Sequence, residues 1–198
     1  RISPLAVFTA GTELTSNEIA DLARTDACLT HPHLVCQDTN AVYTVAIAEG
    51  IRHQHTKESL YNYVIQWAQE NHICSEVMTS LNNATSEYLP MYPKQIGWVL
   101  RAFQGAFYML LHSSSLADGI QSIVEMGGDT DTNAAITGAL LGCIYGINGI
   151  PQDWMRMVCS NRPMFHLAGV YRPRPRSYWT CDVLRLSEQL LCAKKYSL

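Results

Sequence analysis

Residues 41–48, Ala41-Val42-Tyr43-Thr44-Val45-Ala46-Ile47-Ala48, decide the fold. They lie within a stretch of helical spacing, residues 36–52, and are apolar on almost every face of that helix. A helix that is apolar all round belongs in the interior of a protein, with amphipathic helices around it. The rest of the chain supplies them. Thr15 and Glu18 have capping-box spacing ahead of Ile19, Leu22, Ala23 and Ala27 on one face. Lys57 to Gln69 carries Leu60, Tyr61, Val64, Ile65 and Ala68, and a weaker helix covers about 73–83. Beyond a loop punctuated by Pro90 and Pro93, Ile96, Val99, Leu100, Phe103, Phe107, Leu110 and Leu111 mark the next helix. Ser115 and Asp118 cap a helix through Leu116, Ile120, Ile123 and Val124, which Gly127-Gly128 stops. Another runs from near Thr132 to about Tyr145, and Pro151 opens a short helix with Trp154 and Val158. A long Pro- and Arg-containing loop spans 160–180, and a last helix covers about 182–194. No segment alternates as a strand, no fixed repeat appears and no low-complexity linker divides the chain. The expectation is one all-α domain over residues 1–198, a compact multi-helix bundle.

Composition agrees. Of 198 residues, 47% are hydrophobic and 16% charged, which suits a well-buried globule and not a disordered chain. A formal net charge of −3 lacks the basic face that a general nucleic-acid binder needs. The seven cysteines, at 28, 36, 74, 143, 159, 181 and 192, are odd in number and form no C-x-x-C pair. They read as reduced, mostly buried thiols, with neither a disulfide framework nor a zinc site. A cytoplasmic location is the matching expectation. Residues 134–150 are apolar, but Asn148 and Gly149 interrupt the run and Pro151 closes it, short of the about 20 apolar residues a membrane span needs. The four-residue spacing of Gly138, Gly142 and Gly146 reads instead as close approach of a buried helix to its neighbours.

The chemistry is concentrated in Gly127-Gly128-Asp129-Thr130-Asp131-Thr132. Two carboxylates stand two residues apart with hydroxyls beside them at a helix entrance. Such all-oxygen donors suit a hard cation such as Mg²⁺ and not zinc. The competing reading is helix capping, since Asp and Thr are favoured at helix N-termini. An EF-hand fails, because its glycine position holds Ala134 and its bidentate glutamate position holds Leu140. Trp98, Tyr108 and Trp154 sit at helical spacing among core neighbours and read as packing residues rather than as an adenine platform. Arg162, Arg172, Arg174 and Arg176 could meet a pyrophosphate or an acidic partner, though a solvated loop is the simpler reading.

The segment from Gly127 to Thr132, continued as Asn133-Ala134-Ala135-Ile136-Thr137-Gly138-Ala139-Leu140-Leu141-Gly142, resembles the signature of the ADP-ribosylglycohydrolase family. Gly97-Trp98-Val99, Asn148-Gly149-Ile150-Pro151 with Trp154, Thr30-His31-Pro32-His33 and the opening Arg1-Ile2-Ser3-Pro4-Leu5 resemble family elements in the family's order. That family includes hydrolases that remove ADP-ribose from arginine or serine and the enzyme that reactivates nitrogenase reductase. The resemblance implies Mg²⁺-dependent cleavage of the glycosidic bond between ADP-ribose and a modified protein side chain. It implies two Mg²⁺ ions in the complete enzyme, with Mn²⁺ as a substitute, and an ADP-ribosylated protein or ADP-ribose conjugate as partner; the charge and the short apolar run leave neither nucleic acid nor membrane as an expected one. It makes Asp129, Asp131 and Thr132 metal ligands and puts His31, Gly127 and Gly128 at the substrate. His31 has a plain alternative in a capping or core hydrogen bond, and His33 reads as structural. Family members also carry a Thr/Ser-Asp-Asp trio near the N-terminus that completes the metal site. This chain has no Asp-Asp dipeptide and opens inside the family's Gly-Asn-Gly…Met-Arg loop, so the N-terminal part of the family fold is expected to be missing. The resulting alternative is a catalytically incomplete or inactive member that binds ADP-ribose or serves structurally.

Overall fold

A computed structural model describes residues 2–86, 96–165 and 167–193. Among these residues there are ten α-helices and no strand. The first, α1 (Ser3–Ala10), is followed by α2 (Ser16–Cys28), α3 (Leu34–His53), α4 (Lys57–Glu70) and α5 (Ser75–Asn83). Then come α6 (Val99–His112), α7 (Leu116–Glu125), α8 (Thr130–Tyr145), α9 (Gln152–Ser160) and α10 (Val183–Leu191).

Helix α3 is the centre, as its sequence predicts. Every residue from 41 to 50 is buried, and α3 touches α1, α2, α4, α5, α6 and α8. Alanines at 41, 46 and 48 keep its surface low, so neighbours come close; Ile19, Ala20, Ala23 and Ala27 of α2 are all fully buried. Against the other side lies α8, where a Cβ built on Gly50 would stand 2.5 Å from the Cys143 sulfur. Phe103, Ala106, Phe107 and Leu110 form the buried stripe of α6, and Leu116 and Ile123 that of α7. Close packing of this kind makes a lost or added methylene costly along the buried run 41–50 of α3.

Local chemistry starts the helices. The Thr15 hydroxyl accepts the Glu18 N–H at 3.3 Å while Glu18 accepts the Thr15 N–H at 2.7 Å, a complete capping box for α2. Thr56 and Ser115 cap α4 and α7 with the hydroxyl half of that arrangement, accepting the Ser59 and Asp118 N–H groups. Arg52, in the last turn of α3, donates to the carbonyls of Thr9, Ala10, Thr12 and Leu14. It thereby satisfies the carbonyls that the end of α1 leaves open. Asp38, also buried, accepts from Arg24 at 3.1 Å and from the Cys74 N–H at 2.9 Å, which ties α2, α3 and the entrance of α5 together.

Several expectations change. Within the opening Arg1-Ile2-Ser3-Pro4-Leu5, read as the end of a loop, Ser3 already begins α1; Pro4 sits in the first turn, where its missing N–H costs nothing. The helix expected from Ile96 begins at Val99, leaving Ile96 and Gly97 in a turn. The helix expected near Thr132 already begins at Thr130, and α10 is shorter than 182–194. Close approach holds at Gly138, where an added Cβ would meet Ile120, but Gly142 and Gly146 face open space. Only one of the seven thiols, Cys36, is buried, while Cys28, Cys181 and Cys192 are exposed. The loop at Pro90 and Pro93 lies outside the described residues.

After Leu141 no described residue is buried. Met157, Phe165, Tyr171 and Leu186 are exposed along this segment, as are Arg172, Arg174 and Arg176. Arg162 instead donates to the Cys159 carbonyl and stands over the Trp179 ring. Among the described residues, no helix is long and apolar enough to cross a membrane.

Candidate functional site

Two helices build a cavity of ≈ 390 Å³. On α3, Cys36, Thr39, Asn40 and Tyr43 face it; on α8, Thr132, Asn133 and Ile136 do, preceded by Asp129. Each set follows the i, i+3, i+4, i+7 spacing that puts side chains on one helical face. The Tyr43 hydroxyl donates to the Ile136 carbonyl at 2.7 Å and joins the two stripes. Ile96, Trp98, Val99 and Phe103 supply an apolar wall, and Ile2 and Ser3 at the entrance of α1 complete the lining.

The signature loop forms the rim. Gly127 and Gly128 both have φ of +77°, a left-handed conformation that reverses the chain between α7 and α8 at little steric cost for glycine. Asp129 then occupies the N-cap position of α8 with φ −83° and ψ 71°. Its side chain makes no capping hydrogen bond, so the capping alternative does not describe what this carboxylate does. Asp131 is exposed in the first turn, and its Oδ1 accepts the Thr132 N–H at 2.9 Å. A hydrogen bond with the Asp129 side chain, together with the Thr132 N–H, holds the Asp131 carboxyl below its ordinary range. The two carboxyl groups therefore lie side by side at the mouth of the cavity, near the positive end of the α8 dipole.

Of the residues singled out by sequence, Asp129, Thr132 and His31 line the one cavity. Asp131, Gly127 and Gly128 lie beside it without lining it. His31 is exposed, and its Nδ1 is 2.8 Å from the Thr30 hydroxyl. His33 accepts the Val35 N–H at 3.2 Å and caps α3. Trp98, expected in the core, stands 38% exposed on the cavity wall with the His33 ring edge-on at 6.0 Å; the later start of α6 puts it ahead of the helix. Trp154 and Tyr108 do pack against the core.

Sequence reasoning missed Cys36, Thr39, Asn40 and Tyr43. The available signal was the polar trio Asp38-Thr39-Asn40 just ahead of the apolar run of α3. Two of the missed groups are chemically quiet. Burial pushes the Cys36 thiol up, away from the reactive thiolate. Burial likewise raises the Tyr43 phenol far above its ordinary range, so it remains a donor.

The oxygen-only donor set of Asp129, Asp131 and Thr132 fits a hard divalent cation, and Asp129 is not engaged in capping its own helix. Among the described residues, no three His, Cys, Asp or Glu side chains gather closely enough to hold a metal ion by themselves.

Comparison with known proteins places this architecture in a family. The model of the ADP-ribosylglycohydrolase family matches residues 1–178, and the chain belongs to that family. Protein L543 of Acanthamoeba polyphaga mimivirus, whose name assigns it provisionally to the ADP-ribosyl glycohydrolases, is 29% identical over 180 residues. That match covers 83% of this chain and 53% of the viral protein. ADP-ribosylarginine hydrolase Tri1 of Pseudomonas putida (strain GB-1) is 29% identical over 72 residues, 36% of this chain and 19% of the relative. Human ADP-ribosylhydrolase ARH3 is 30% identical over 81 residues, 41% of this chain and 22% of the relative. The chain thus spans about half the length of the viral relative, and the other matches are shorter.

Proposed function

We propose that this chain is part of an enzyme that hydrolyses the glycosidic bond between ADP-ribose and a modified protein side chain, with Mg²⁺ as cofactor. The observation that carries the reading is the Asp129 carboxylate, set at an N-cap position yet making no cap, beside Asp131 at the mouth of a cavity. In this reading Asp129, Asp131 and Thr132 hold the metal. When bound, the metal would stabilise developing charge and orient the attacking water, contributions on the order of several kcal/mol. The protein's own part is to orient and to exclude. In this reading Gly127 and Gly128 let the backbone approach the substrate closely, and His31 meets it from the cavity lining. The apolar wall of Ile96, Trp98, Val99 and Phe103 keeps water from the reacting bond. Cleavage then proceeds through an oxocarbenium-like transition state.

A second reading is a family member that binds ADP-ribose without cleaving it. It is favoured by the absence, among the described residues, of a third acidic or imidazole ligand beside Asp129 and Asp131. Calorimetric titration with Mg²⁺, with and without ADP-ribose, and a release assay on ADP-ribosylated protein separate the two. Mg²⁺-dependent release, lost in Asp131→Ala with helical content unchanged, is the expected result. Saturable ADP-ribose binding without release, in this chain and in a form extended to the length of its relatives, would favour the second reading. Release that survives Asp131→Ala at ordinary Mg²⁺ would remove the ligand assignment.

A further inference from the structure

A concentration of positive charge lies outside the cavity. From Trp154 to Cys181 the chain carries five arginines and no carboxylate, whereas the rest of it holds nine basic and 17 acidic side chains. Arg156 is paired with Asp153 at 3.1 Å, and Arg162 donates to the Cys159 carbonyl. Arg172, Arg174 and Arg176 are exposed, and among the described residues their side chains make no ion pair and no hydrogen bond. None of the three lines the cavity.

A solvated loop would leave its backbone to water as well. Here the backbone is tied down. The Arg174 N–H donates to the Pro163 carbonyl at 2.9 Å, and the Trp179 indole donates to the Arg174 carbonyl at 2.9 Å. The Tyr178 N–H donates to the Pro175 carbonyl at 2.9 Å, and the Trp179 N–H to that of Arg176 at 3.1 Å. The Thr180 hydroxyl donates to the Val158 carbonyl, which joins the end of the strip to α9. Arg172 and Arg174 each precede a proline, which holds them extended, and the rings of Pro173 and Pro175 fix φ there. Three guanidinium groups are thus spread along about 12 Å of extended backbone. That backbone is ordered before anything binds, so docking costs little on this side.

The composition and length of the strip define what fits it. Each guanidinium presents a fork of N–H donors that matches a carboxylate with two hydrogen bonds. Tyr171, 95% exposed, and Tyr178, 74% exposed, flank the arginines. Tyrosine and arginine are the residue types enriched where proteins meet. A long polyanion such as nucleic acid would run off the strip onto a chain with a large excess of acid. An acidic peptide of about five extended residues ends where the strip ends.

We propose that residues 171–178 form a docking surface, separate from the cavity, for a short acidic segment of a partner protein.

Fluorescence anisotropy of a labelled pentaglutamate peptide tests this, with pentaglutamine and pentathymidylate as comparison probes. The wild-type chain is expected to bind pentaglutamate and not pentaglutamine, and to bind it more weakly as salt rises. Arg172→Gln, Arg174→Gln and Arg176→Gln combined are expected to weaken pentaglutamate roughly tenfold, the worth of several exposed charged pairs, with the melting temperature unchanged. Arg156→Gln, which removes an arginine already paired, is expected to leave the affinity near the wild-type value. Absence of pentaglutamate binding, equal affinity in the triple variant, an equal loss in Arg156→Gln, or tighter binding of pentathymidylate overturns the proposal. So does loss of pentaglutamate binding when the chain is extended to the length of its relatives, which would mean that the rest of the family fold covers the strip.

Discussion

Helices α3 and α8 enter the cavity wall in similar ways, each with a side chain at its N-cap position that is able to cap. His33 does so, accepting the Val35 N–H. Asp129, intrinsically among the best capping residues, does not. Behind these entrances the helices also differ. Ten consecutive residues of α3 are buried, whereas the first turn of α8 holds exposed Asp131 and Thr132. One entrance caps its own helix; at the other the carboxylate makes no cap and lies beside that of Asp131.

The largest expected effect tests that division directly. Asp129→Ala should lower Mg²⁺ affinity and Mg²⁺-dependent ADP-ribose release by at least about 100-fold, since even groups behind the metal ligands are worth 10–100-fold. The melting temperature should hardly move, because no cap is lost. A large fall in melting temperature would mean that Asp129 supports α8 after all and would erase the contrast. The converse, His33→Ala, should cost about 1 kcal/mol, the usual worth of a capping side chain. Thermal unfolding reads this as a fall of roughly 2–4 °C for a chain of this size, with release of ADP-ribose near the wild-type rate.

The smallest effect concerns entrances remote from the cavity. The Thr15 N–H and hydroxyl hold the Glu18 carboxyl below its ordinary range, and the Ser114 N–H and hydroxyl do the same for Asp118. A carboxyl whose pKa is depressed by folding contributes stability that is complete above its unfolded pKa and is lost as pH falls through the folded value. Acidification below about pH 4 should therefore fray the first turns of α2 and α7. Amide signals of residues 16–19 and 115–118 report this, and Glu18→Gln should remove the pH dependence at α2 alone. Equal fraying in that variant would assign the effect to another group.

The sequence made some of this plain and hid the rest. Caps at Thr15 and Ser115 were legible because donor and acceptor lie within four residues of each other. The all-round apolar run at 41–48 was legible because burial on every face leaves no polar stripe. Helix α1 was not, since its end depends on Arg52, some forty residues away, and its own buried residues are only Ala6 and Thr9. In the signature, Asp129 and its neighbours could be read as oxygen donors from local spacing. Thr39 and Asn40, which line the same cavity, could not be grouped with them, because α3 and α8 meet across 93 positions, a contact marked by the Tyr43–Ile136 hydrogen bond. Trp98 was misplaced for a related reason: helical periodicity does not reveal which turn is the first.

That misplaced tryptophan has an optical consequence. Indole emission depends on the water and side chains around the ring. Trp67 is buried, 6% exposed, and neither Trp154 nor Trp179 lines the cavity. Of the four indoles, only the one at 98 stands where a ligand would displace water from its surface. A ligand entering the cavity would therefore shift the colour of that one lamp, and its occupancy would be followed in the unlabelled protein by its own light.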